Sequence, residues 1–128
     1  MNWLQYLGWS DKQLQDLRFL GYSYFSQGKF DIAINFFEGL LVLDNENVYD
    51  LQELGALYLE KGQSLKALDY LDKALKKDPS YLPSLVNKTK ALFSLGYKNQ
   101  GLALARSLLS CGDKTIENLA EALILAYK

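Results

Sequence analysis

An all-α solenoid of about three helix-turn-helix repeats, closed by a C-terminal capping helix, is the fold class that three observations predict. Gly28, Gly62 and Gly96 lie 34 residues apart in succession. Around the first two, Leu17, Leu20, Gly21, Tyr24, Ala33 and Phe37 recur at the same interval as Leu51, Leu54, Gly55, Tyr58, Ala67 and Leu71. Between the glycines, apolar residues step by three and four, the period of an amphipathic helix. Self-similarity at such a spacing marks units that cannot bury their own apolar face and therefore stack on their neighbours.

The elements follow in order. Ser10-Asp11-Lys12-Gln13 is a capping-box pattern that starts a helix, with Trp9 and Leu14 placed to form a hydrophobic staple. Leu14, Leu17, Leu20, Gly21, Tyr24 and Phe25 carry that helix to a turn at Gly28. A second helix is expected over Phe30 to Leu43, broken by Asp44-Asn45-Glu46-Asn47, whose short polar side chains compete for backbone hydrogen bonds. Its successors are expected at Val48 to Lys61 and Ser64 to Lys77, the latter stopping before Asp78-Pro79. The third pair begins near Tyr81, with Pro83 in a first turn that tolerates it, and its second helix is expected at Asn99 to Ser110. Asp113 or Thr115 caps a last helix bearing Ile116, Leu119, Ala120, Leu123 and Ala126. The expected division is an N-terminal segment 1–13, repeats at 14–47, 48–81 and 82–115, and a capping helix 116–128, all in a single domain.

Composition limits the function classes. The chain has 128 residues, a formal net charge of −1 and interleaved acids and bases, so no clustered positive surface for nucleic acid is expected. Lys73, Lys76 and Lys77 close a helix, where cations complement its negative end. A single cysteine, Cys111, excludes an intrachain disulfide and fits a reducing, cytoplasmic setting. Trp3, Leu4, Tyr6, Leu7 and Trp9 lack the basic start and small-residue cleavage site of a signal peptide, and no apolar run reaches the length of a membrane span. Histidine is absent, which removes the commonest general base and zinc ligand, and one thiol cannot make a cluster. Glu117 and Glu121 share a helical face and read as solvated surface. The glycines are spaced as helix turns and not as a phosphate loop. Neither catalytic residues, a metal site nor a cofactor is expected.

The pattern leucine, glycine, tyrosine, turn glycine, alanine, aromatic or leucine, alanine and proline resembles the tetratricopeptide repeat. Residues 48–81 match it through Leu51, Leu54, Gly55, Tyr58, Gly62, Ala67, Leu71, Ala74 and Pro79. Residues 14–47 match through Leu17, Leu20, Gly21, Tyr24, Gly28, Ala33 and Phe37, but carry Leu40 and Asn45 where alanine and proline are usual. The third unit departs at Lys88, Thr89 and Gly101, as though altered at its packing positions for a partner. Gly21, Gly55, Ala33, Ala67 and Ala74 are expected to sit at tight helix contacts, and Tyr24 and Tyr58 in the larger gaps.

The resemblance implies that the first helix of each unit lines a concave groove. Its groove positions fall on Gln15, Arg18, Tyr22 and Phe25, then Tyr49, Gln52, Ala56 and Leu59, then Pro83, Val86, Lys90 and Phe93. Arg18, Tyr22, Phe25, Tyr49, Gln52, Leu59, Val86, Lys90 and Phe93 are the expected contact surface for a protein or peptide client. A subclass of the family clamps a terminal carboxylate with lysines, asparagines and an arginine. Here Tyr22, Glu53 and Pro83 stand in its places, with Arg18 and Asn87 alone able to contribute, so that subclass is disfavoured. An apolar groove suits an amphipathic helix or an extended segment.

The short acidic chain also resembles the small tetratricopeptide chaperones of bacterial type III secretion. That likeness implies a cytoplasmic, non-enzymatic chaperone that masks an apolar segment of an export substrate, a needle subunit or a translocator. The alternative is a scaffold or self-associating module in another complex. Trp3, Leu4, Leu7 and Trp9 are placed to cover the groove, to mediate a homodimer or to meet a co-chaperone.

Overall fold

The computed structural model describes residues 6–128; Trp3 and Leu4 lie outside the described residues. Among the described residues seven full helices run in antiparallel succession: α1 (Asp11–Ser26), α2 (Phe30–Leu43), α3 (Val48–Glu60), α4 (Ser64–Lys77), α5 (Leu82–Ser94), α6 (Lys98–Ser107) and α7 (Lys114–Tyr127). No strand occurs among the described residues. Each helix packs on its successor, α3 also touches α5, and α1 reaches α3 through Arg18 and Asp50, so the first helices of consecutive pairs form one layer.

The period in the sequence is a period of helix endings. At Gly62, with φ +76°, the amide donates to the Leu59 carbonyl at 3.0 Å and the following Gln63 amide to Tyr58 at 2.9 Å. That pair of bonds closes a helix through a left-handed residue, which glycine adopts without a Cβ clash. The same two bonds recur at Gly28 and Gly96. Helix starts are set as locally. Gln13 accepts from the Ser10 amide, Asn47 from the Asp50 amide, and Asp113, not Thr115, from the Ile116 amide.

The core is continuous through the first two pairs, built on Ala33, Phe37, Leu40, Leu54, Leu57, Ala67 and Leu71, and reaches Ala91. Helices approach closely where side chains are missing. A Cβ on Gly55 would lie 2.5 Å from Leu71 Cδ2. A smaller cluster of Val86, Leu108 and Ala120 holds α7 on the end of the array. Leu7 is exposed and Trp9 half-buried.

Two expectations change in the third pair. Helix α6 ends at Ser107, short of Ser110, because the chain tightens into bonds from Leu108 to Ala105 and from Leu109 to Arg106 that drive Leu108 into the core. The departures at Lys88, Thr89 and Gly101 serve internal packing. Lys88 pairs with Asp72, and buried Thr89 returns its hydroxyl to the Leu85 carbonyl at 2.8 Å. Gly101 makes room for Phe93, whose ring a Cβ there would meet at 2.7 Å.

Candidate functional site

The layer of first helices carries two adjoining clefts that share Tyr22. One, of about 480 Å³, is lined by Gln15, Arg18, Phe19, Tyr22, Asn47 and Tyr49. The other, of about 530 Å³, is lined chiefly by Tyr22, Phe25, Phe30, Glu53, Ala56 and Glu60. Together they make a groove along α1 and α3, walled by aromatic rings. Phe19 is 70% exposed and Tyr22 54%, far more than rings of that size usually are in a lone domain. Phe25 and Tyr49 are half-buried, held edge-on by Phe30 at 5.8 Å and by Phe37 at 6.1 Å between centroids.

The nine expected contact residues divide by exposure. Tyr22 and Lys90 are exposed, and Phe25, Tyr49 and Leu59 are half-buried. Arg18, Gln52, Val86 and Phe93 are buried and already engaged by the protein's own chain. Arg18 Nε and Nη2 donate to the two carboxylate oxygens of Asp50 at 2.8 Å each, and Nη2 donates to Asp44 at 2.7 Å. Asp44 in turn accepts from Asn47, the residue that caps α3. Gln52 accepts from the Ser84 hydroxyl at 2.8 Å. Val86 packs with Leu108 and Ala120. Phe93 stacks on Tyr127 at 4.2 Å with the rings 5° from parallel.

The burial of Arg18, Gln52 and Val86 has one cause. They are equivalent positions, 34 residues apart, and each is engaged by a helix further along the array, Arg18 doing so from the wall of the first cleft. Their partners repeat too: Asp50 and Ser84 are also 34 apart. The arginine that a carboxylate clamp would need is therefore spent on the junction between units.

Electrostatics single out Glu53. Loss of water on burial, then the nearby Asp50 charge, push its carboxyl up to about 7. Burial pushes the Tyr49 hydroxyl up to about 12, helped by Glu53, and raises Tyr81 in the same way. At the junction, burial drives the Asp50 carboxyl up against the pull of Arg18, while the bond to Asp50 holds the guanidinium protonated.

Phe19, Glu53 and Glu60 were not among the expected site residues. Gln15, Phe19, Tyr22 and Ser26 do form a stripe at steps of four, three and four, which shares Gln15 and Tyr22 with the one carried over from the resemblance and has Phe19 and Ser26 in place of Arg18 and Phe25. That stripe was the available signal. Among the described residues no group of three or more histidine, cysteine or acidic side chains is placed to hold a metal, and no helix is long and apolar enough to cross a membrane.

Residues 51–81 match the family model for the tetratricopeptide repeat. The chain is 34% identical over 82 residues to Protein CTR9 homolog of Arabidopsis thaliana; the match takes in 62% of this chain and spans 8% of that much longer relative. Among solved structures, a T3SS complex from Aeromonas hydrophila superposes with a TM-score of 0.86 at 22% identity, over 97% of this chain and 86% of the other. The Yersinia enterocolitica type III secretion chaperone SycD, in complex with a peptide of the translocator YopD, superposes with a TM-score of 0.80 at 22% identity, over 92% and 94% of the two chains.

Proposed function

We propose that this tetratricopeptide-repeat chain is a non-enzymatic binding module that holds an apolar helical or extended segment of a client protein across α1 and α3, and that it serves as a cytoplasmic chaperone of type III secretion. The observation that carries the reading is the aromatic groove itself: Phe19 and Tyr22 stand exposed beside two clefts, over a scaffold whose polar junction groups are already paired. Exposed aromatic walls of this kind mark interaction surfaces, and buried rings supply most of the affinity once a partner covers them. Masking the self-assembly surface of a needle subunit or a translocator keeps such a client monomeric before export. The fold shared with a secretion chaperone solved with a translocator peptide supports the finer assignment. Tyr22, Phe25, Tyr49, Leu59 and Lys90 remain as contacts from the expected set, and Phe19 joins them.

Co-expression with candidate needle and translocator subunits tests the proposal. A stable complex is expected with the wild-type chain and its loss with Phe19→Glu combined with Tyr22→Glu, two exposed positions whose replacement leaves the core untouched. A complex that survives both substitutions overturns the groove assignment. Failure with every secretion client, alongside binding to an unrelated apolar peptide, overturns the secretion role and leaves the module.

A further inference from the structure

The groove is not uniformly apolar. Glu53 sits in the second cleft on α3, half-buried among Tyr22, Phe25, Phe30 and Ala56, with Glu60 about two turns further along the same face. Neither carboxylate forms an ion pair or hydrogen bond among the described residues. Two basic side chains are committed elsewhere: Lys61, next in sequence to Glu60, to Asp31, and Arg18 of α1 to Asp50 and Asp44. A carboxylate so placed loses water without gaining a counter-charge, whereas other half-buried acids here, such as Asp44, have one.

We infer that the second cleft selects a client segment carrying a cationic side chain, arginine or lysine, flanked by apolar residues, with Glu53 as its counter-ion and the rings of Tyr22, Phe25 and Phe30 as its walls. The inference rests on the binding-module reading and adds the chemistry of one subsite. Two features favour a cation over a purely apolar insert. The carboxylate provides charge complementarity in a partly desolvated setting, where a pair is worth more than at an open surface. The aromatic faces around it attract a guanidinium or ammonium through their ring quadrupoles. The raised carboxyl of Glu53 is the free-state signature of the same deficit, and a bound cation would return it toward the ordinary carboxylate range. Lys90, on α5, is exposed and forms no ion pair with Glu53 among the described residues, which leaves the counter-ion to the client.

Selection from a phage-displayed random dodecapeptide library against the full chain tests the inference, with selected peptides then measured by fluorescence anisotropy. The expected consensus holds an arginine or lysine between apolar residues. Glu53→Gln, close in shape to the native side chain, should weaken such a peptide about tenfold, the worth of one partly exposed charge pair. Replacing the peptide's cation with glutamine should weaken binding to the wild type equally and matter little to the variant. A library selected against Glu53→Lys should lose the cation and turn acidic. A consensus without a cation, or cationic peptides indifferent to Glu53→Gln, overturns the inference while leaving the binding module standing, provided Phe19→Glu with Tyr22→Glu still abolishes binding. No enrichment against the wild type counts against both. Circular dichroism of each variant separates lost binding from lost structure.

Discussion

The two junctions between consecutive repeats solve one geometric problem with opposite chemistries. Between the first and second units a buried arginine forks onto Asp50 and reaches Asp44; between the second and third the equivalent positions hold Gln52 and Ser84, joined by one neutral bond. Backbone placement is shared, because both pairs are separated by 32 residues and both lie between first helices. The difference lies in what failure costs. An ion pair out of water is tolerated only while every charge is answered, whereas a neutral hydrogen bond strands at most one dipole. The ionic junction is thus the less forgiving of the two.

Breaking each junction should expose that difference. Asp50→Ala leaves the Arg18 guanidinium buried with Asp44 alone, and a loss of about 3 kcal/mol is expected in urea denaturation. Ser84→Ala should cost about 1 kcal/mol, since only Gln52 loses its partner. Transplanting the neutral pair, Arg18→Gln with Asp50→Ser, should fall within about 1 kcal/mol of the wild type, because removing both buried charges together spares the desolvation that either single change reveals. A double variant as unstable as Asp50→Ala would show that the ionic pair contributes beyond filling its place.

The finest comparison is in pH. Glu53 rises from an ordinary 4.5 to about 7 in the folded chain, so between those values the folded state holds the proton more often than the unfolded one. Stability contributed by protonated Glu53 is therefore present at low pH and is lost as pH rises toward 7. Asp50 is one cause of the rise, so the neutral double variant should show a shallower fall over that window, and Glu53→Gln should remove this contribution. Denaturation midpoints measured across the window check both slopes.

The fold was legible because its determinants are local and repeated. Gly28, Gly62 and Gly96 fix where helices end, and Gly55 and Ala67 fix how closely they pack, and such signals survive in a single sequence. The groove was less legible. Periodicity identifies the face of a helix, but Arg18 and Phe19 differ by one step around the helix, and only packing decides which turns to the next unit and which to solvent. Phe93 misled for a related reason. Its ring is as apolar as a groove ring should be, yet the hollow it fills is created by Gly101 on the next helix and closed by Tyr127 on the last, a complementarity that no helical period reveals. Glu53 was noticed only as an obstacle to a clamp, since its missing counter-charge is a property of the folded surroundings.

The arginine fork at the first junction also acts as an address. In an array of units built on one plan nothing in the glycine period prevents the first unit from docking on the third, or on another copy's second, during folding. Placed against Ser84, Arg18 would bury a charge with no carboxylate to meet it, and Asp50 would be stranded in turn. One charged pair and one neutral pair at the same register therefore give each seam its own label, and the order of the repeats is encoded by the penalty for joining the wrong two.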